Sequence, residues 1–173
     1  MLIDVKELLT IPEFANMPLP QLKRQMAAVE SIIREHTKNN FQNRLVRFEA
    51  ETEGMTLKGT HPYLRTGDTV QISESVNNGL YVVERIADSV TTVDAELHAT
   101  AHNLITKVEY PADVIDGAIE LLKWRVKFGE KIGVKSESIS RHSITYYDNA
   151  AQTTNGFPVS LMGFLQPYMK ARF

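Results

Sequence analysis

Residues 133–147 read GVKSESISRHSITYY and set four serines and His142 in one short polar stretch. A serine nucleophile needs a strained turn of the G-x-S-x-G kind, a histidine base and paired oxyanion donors. Here Ser136, Ser138 and Ser140 fall at every second position with no glycine between them. That spacing puts them on one face of an extended strand, where small hydroxyl side chains suit close approach to another backbone or to a water-filled space. Ile139 and Ile144 differ in parity, so a turn or bulge near Arg141-His142 is expected to fold the ribbon back on itself as a hairpin with a positively charged tip.

The other chemical groups are sparser. His98 and His102 in ELHATAH lie four apart, a spacing at which one helix face can offer two metal ligands. Ala99 stands where a zincin motif has its glutamate, and no third ligand is evident. His36 falls on the apolar stripe of a helix, and His61 precedes Pro62 in a turn. Glu49, Glu51 and Glu53 alternate along a strand, so they read as a solvated face rather than a catalytic carboxylate pair. TGDTV and NNG are turn chemistry without the Gly-Lys-Ser/Thr of a phosphate loop. These readings predict no catalytic residue, no metal ligand and no cofactor site.

The elements that must position these groups change period along the chain. Asp4 is expected to cap a short helix through Leu8 and Leu9, and IPEFANMPLP then resets the chain direction. Leu22, Met26, Val29, Ile33 and His36 recur as one face of a helix ending near TKNNF, with Lys23, Arg24, Glu30, Arg34 and Lys38 opposite. From Arg44 the pattern alternates: Val46, Phe48 and Ala50 oppose Leu45, Arg47, Glu49 and Glu51. TVQISESVNNGLYVVERI predicts two strands joined by a tight turn at Asn78-Gly79, and further strands are expected at 91–93 and 103–110. Strands this short and numerous in about 65 residues predict a small, strongly bent SH3-like barrel rather than a sandwich.

Pro111 opens a second long helix with Asp113 and Asp116 at its positive end and Lys127 and Lys131 at its negative end. Its expected inner stripe is Ile115, Ile119, Leu122 and Val126, widened by Val114, Ala118 and Leu121. Trp124 lies between the stripes, and Gly129 and Gly133 punctuate the end. DNAAQTTNG reads as a loop, after which Pro158 starts a last helix carrying Leu161, Met162, Leu165 and Tyr168, disturbed by Pro167. The predicted class is α+β: a helical core from 1–43 and 111–173, interrupted by a β-rich insertion at 44–110, with ribbon and loop at 133–156.

The chain has 173 residues, a formal charge of −2 and no cysteine. Thiol chemistry and disulfides are excluded, a reducing cytoplasm is the expected compartment, and the near-neutral charge supplies no global field for phosphates. MLIDVKELL lacks the pattern of a signal peptide, and no apolar run is long enough to span a bilayer.

EHTKNNF (35–41) and FGEKIGVKSESISRHSITYY (128–147) resemble the head-tail connector proteins, also called head completion or adaptor proteins, of long-tailed bacteriophages and related prophages. The most specific part is the Gly-Val-Lys-Ser-Glu-Ser-Ile run leading into Ser143, Ile144, Thr145 and Tyr146. The resemblance implies a helical core that assembles into a ring, usually dodecameric, beneath the portal vertex of the virion. Such a ring extends the DNA channel without sequence-specific DNA binding and offers a platform to a stopper or tail terminator protein. It implies assembly in the host cytoplasm, no membrane and no enzymatic activity. Carried onto this sequence, Lys135, Ser136, Glu137, Ser138, Ser140, Arg141, His142, Ser143 and Tyr146 serve neighbouring subunits or the channel wall. Phe157, Val159, Leu161, Met162, Leu165, Tyr168, Lys170, Arg172 and Phe173 match the region used to dock on the portal. Similar sequences often carry Gly-Asp at the position of Arg141-His142, and the β insertion has no counterpart in members with a minimal core.

Two other classes compete with this reading. The insertion read as a nucleic-acid-binding SH3-like module would use Arg44, Arg47, Lys58 and Arg65. A serine hydrolase would use a ribbon serine with His142.

Overall fold

A computed structural model describes residues 2–128, 136–139, 142–145 and 153–171. The chain forms two compact units, one built from Asn39–Tyr110 with Leu2, the other from Ile3–Lys38 and Pro111–Phe173. The class is α+β, with a six-stranded antiparallel sheet in the first unit and the helices in the second. Among the described residues no helix is long and apolar enough to cross a membrane.

In the β unit the strands are β1 (Gln42–Glu49), β2 (Glu51–Lys58), β3 (Thr69–Ser73), β4 (Gly79–Ala87), β5 (Val90–Thr100) and β6 (Leu104–Val108). Their order across the sheet is β1-β6-β3-β4-β5-β2. The two outermost strands are thus neighbours in sequence, joined only through Ala50, whose N–H donates to the Asn103 carbonyl at 3.1 Å. One long strand therefore bends at Ala50, pairs β6 with its first half and β5 with its second, and curls the sheet around a single core. That core contains Ala50, Leu57, Val70, Ile72, Val93 and Ile105, with Phe48 and Tyr81 packed against it. Each fully buried aliphatic side chain contributes about 1.5–3 kcal/mol. Val46 and Ala50 point inward and Leu45 outward, at 88 % exposure, as the alternation predicts, and the pairing with β6 shifts register between Asn43 and Arg47. Bulges on the outer strands blunt edges that would otherwise template pairing with another chain. The unit begins at Asn39, earlier than the expected boundary at Arg44.

The expected tight turn at Asn78-Gly79 is not formed. Ile72 pairs with Gly79, so Gly79 already belongs to β4, and residues 74–78 make a five-residue connection with Glu74 at φ 59°. The connection is wider because Asn77 turns inward. Its side chain is 3 % exposed, and its Nδ2 donates to the His98 carbonyl at 2.9 Å and to Thr52 Oγ1 at 3.1 Å, while its Oδ1 accepts from His98 N–H at 2.8 Å. Asn103 extends the network by donating to the Ala50 carbonyl at 2.9 Å. Buried polar groups tied this way fix one register, because any slip leaves them unpaired in a low-dielectric interior.

The helical unit contains α1 (Val5–Leu8), α2 (Leu19–Thr37), α3 (Ala112–Phe128) and a 3-10 helix, Val159–Tyr168. Asp4 caps α1 by accepting from the Lys6 N–H at 2.9 Å. In α2, Leu22, Met26, Val29 and Ile33 form the buried face, and Lys38 ends the helix in a left-handed conformation at φ 53°. Glu30, expected on the polar side, is buried. The buried stripe of α3 is Val114, Ala118, Leu121 and Leu122. It is rotated from expectation, leaving Ile115 and Ile119 half-buried and Val126 exposed. The final helix is 3-10 rather than α; Pro167 has no N–H to give an i→i−4 bond.

Candidate functional site

The ribbon is a hairpin. β7 (Ser136–Ile139) pairs antiparallel with β8 (His142–Thr145) in the register Ser136↔Thr145, Glu137↔Ile144, Ser138↔Ser143 and Ile139↔His142. The pairing Ile139↔His142 agrees with a chain reversal near Arg141-His142, although residues 140 and 141 lie outside the described residues. Directly opposed residues of an antiparallel pair share a face, and that face alternates along each strand. Ser136, Ser138, Ser143 and Thr145 therefore occupy one face, and Glu137, Ile139, His142 and Ile144 the other. Lys135, Ser140, Arg141 and Tyr146 lie outside the described residues, as do Gly129, Lys131 and Gly133.

The C-terminal segment folds onto its own unit. Thr153–Thr154 (β9) and Phe157–Pro158 (β10) form a small hairpin. Its turn, Asn155-Gly156, has φ of 53° and 82°, the pair of positive values a two-residue primed turn requires. Phe157 is 1 % exposed, its ring 5.6 Å from that of Trp124. The Arg125 guanidinium sits 5.1 Å over the same ring, and burial pulls its pKa down.

Further along, Phe164 lies so close to α3 that a Cβ on Gly117 would sit 2.4 Å from its Cζ. Tyr168 Oη donates to the Asp113 carboxylate at 2.7 Å, which holds the phenol above its ordinary pKa. Lys170 N–H closes the strap by donating to the Thr37 carbonyl at 2.8 Å. Phe157, Met162 and Leu165, assigned by resemblance to portal docking, are core residues in this fold. The outward part of that set is Val159 and Lys170, with Leu161 and Tyr168 half-buried; Arg172 and Phe173 lie outside the described residues.

The remaining candidates do not converge. Arg47 Nε donates to Thr106 Oγ1 at 3.0 Å, and Arg65 Nη1 donates to the carbonyls of Pro62 and Leu64. Lys58 lies 3.5 Å from Glu51 and 3.1 Å from Glu53, and its hydrogen bond to Glu53 is the first cause of its raised pKa. Of the basic set only Arg44 makes no such contact among the described residues. Glu49, Glu51 and Glu53 are exposed, as a solvated face requires. His98 is a β5 residue and His102 follows that strand, so they lack the helical i, i+4 geometry. Among the described residues no cluster of three or more metal-ligating side chains occurs.

The Asn77 network and the Gly117–Phe164 contact were not read from the sequence. Each depends on which residue faces inward, and a lone Asn beside an Asn-Gly pair reads as a turn. Compared with protein-family models and with curated proteins, the chain matches neither.

Proposed function

We propose that the protein is a structural virion component, a head-tail connector that forms a ring beneath a portal and carries out no covalent chemistry. One observation carries this reading: the hydroxyl-bearing hairpin that follows the long α3, with Ser136, Ser138, Ser143 and Thr145 on a single face. Short hydroxyl side chains along two paired strands suit close backbone approach by a like subunit, or a channel wall that DNA passes without sticking. A chain of formal charge −2 agrees with the second demand, since fixed phosphate contacts add affinity and therefore friction. In this reading the β unit is a small SH3-like barrel inserted into the helical core and turned towards a stopper or tail terminator. The outward residues of the C-terminal strap, Val159 and Lys170, face the portal.

The test is assembly. The purified chain, alone and mixed with the portal protein encoded beside it, is examined by native mass spectrometry and electron microscopy. A closed ring, and tailless or DNA-losing particles when the gene is deleted, are the expected results. A chain that stays monomeric with its portal, or normal tailed particles without it, overturns the proposal.

A further inference from the structure

Two hollows of about 550 and 590 Å³ adjoin along α3 and share Glu120 and Lys123 in their walls. Trp124 and Leu161 line one, with Glu13 on its rim; Asp113, Asp116 and Glu120 line the other. Lys123 and Lys127 also line the first hollow, Glu120 is paired with Lys123 at 2.9 Å and Asp113 accepts from Tyr168 Oη, so four carboxylates stand with two lysines along the groove. Glu13 and Asp116 are exposed and make no hydrogen bond or salt bridge among the described residues.

Elsewhere on the same unit, the first turns of α2 carry the opposite pattern. Leu19, at the start of α2, is 46 % exposed. One turn on, Lys23 and Arg24 are exposed, have no salt bridge among the described residues, and follow a first turn without an acidic residue.

We propose that this groove receives the first half of α2 from a second copy of the chain. The spacing matches in antiparallel alignment. Leu19 to Lys23 and Trp124 to Glu120 are each one helical turn, about 6 Å along the axis. With Leu19 over Trp124, Lys23 falls beside the Glu120–Lys123 pair, in the hollow that Glu13 also lines, and Arg24 extends towards Asp116. Ala27 and Ala28 then leave the two helices free to approach closely. The contact rests on the ring reading in that it supplies an interface a ring requires, and it names the residues that make it.

The test is a charge swap on the full chain, followed by sedimentation velocity at about 50 and 500 mM salt, where screening lengths differ severalfold. Lys23→Glu with Arg24→Glu should weaken self-association by about tenfold or more, and so should Glu13→Lys with Asp116→Lys. The four substitutions together should restore it to near the parent value, with far-UV circular dichroism confirming the fold of each variant. Either pair associating like the parent, or the combined variant no better than each pair, overturns the contact. If rings still form on the portal in those variants, the groove assignment falls and the connector reading stands. If the parent associates neither alone nor with its portal, both fall; if it associates only on the portal, the same variants are compared there. Binding to the groove by other polypeptides that the charge swap leaves unchanged also overturns it.

Discussion

Replacing Gly117 by alanine tests whether the C-terminal strap is held by shape. The new Cβ would lie 2.4 Å from Phe164 Cζ and 2.5 Å from Cε1 and Cε2. Carbon atoms settle at about 3.5–4.0 Å, so the ring must retreat by about 1 Å or leave. Two effects oppose. Alanine for glycine inside a helix favours folding by about 1 kcal/mol, and overpacking costs about 1–3 kcal/mol. Because Phe164 is half-buried, the ring can swing away, which limits the cost and leaves Gly117→Ala destabilising by about 1 kcal/mol net. In a Phe164→Ala background the clash vanishes and the same substitution should stabilise by about 1 kcal/mol. The expected coupling is therefore about 2 kcal/mol, well above the error of a double-mutant cycle. Urea unfolding followed through Trp124, the single tryptophan, reports on the helical unit. Hydrogen exchange over 159–168 should rise in Gly117→Ala alone. Equal effects of Gly117→Ala in the two backgrounds would refute the argument.

Asn77→Ala should cost the β unit about 1–3 kcal/mol, because it leaves the His98 N–H without its acceptor, whereas Thr52 Oγ1 and the His98 carbonyl keep each other; Asn78→Ala, which removes only an exposed 3.2 Å bond from Ser75 N–H, should cost under about 1 kcal/mol, both read by urea denaturation followed by far-UV circular dichroism. Lys107 Nζ lies 3.0 Å from both Asp68 and Glu109, and its hydrogen bond is the first cause of Glu109's depressed pKa. The stability this gives is present above the ordinary glutamate range and lost as pH falls through the depressed value, so Lys107→Met should flatten the acid limb of the stability–pH curve. An unchanged slope would contradict it. An activated phosphonate should leave the chain unmodified by mass spectrometry, since no ribbon serine stands in a G-x-S-x-G turn; adduct on Ser136, Ser138, Ser140 or Ser143 would refute the argument.

Local signals were legible wherever a residue's neighbours in sequence are also its neighbours in space. Asp4 capped its helix, the stripe from Leu22 to Ile33 became a buried face, and the alternation at Val46 and Ala50 became a strand. The ribbon's hairpin followed from the parity of Ile139 and Ile144. What the sequence could not rank was two copies of one turn signal. Asn155-Gly156 makes the two-residue turn, and Asn78-Gly79 does not. Both dipeptides tolerate positive φ equally well. The difference is that Asn77 finds His98, Thr52 and Asn103 waiting in the interior, partners 21 or more residues distant.

The rotation of α3 has the same origin. Ile115 and Val114 are equally fit for a core, and only the helices that cover α3 select Val114. Composition and periodicity thus determined the three α-helices, the strands of the β unit and the polar character of the ribbon, but neither the 3-10 form of the last helix nor the small hairpin before it. Tertiary structure decided which of several adequate faces turns inward, because that choice depends on the summed burial and hydrogen bonding of groups brought together only when the chain closes.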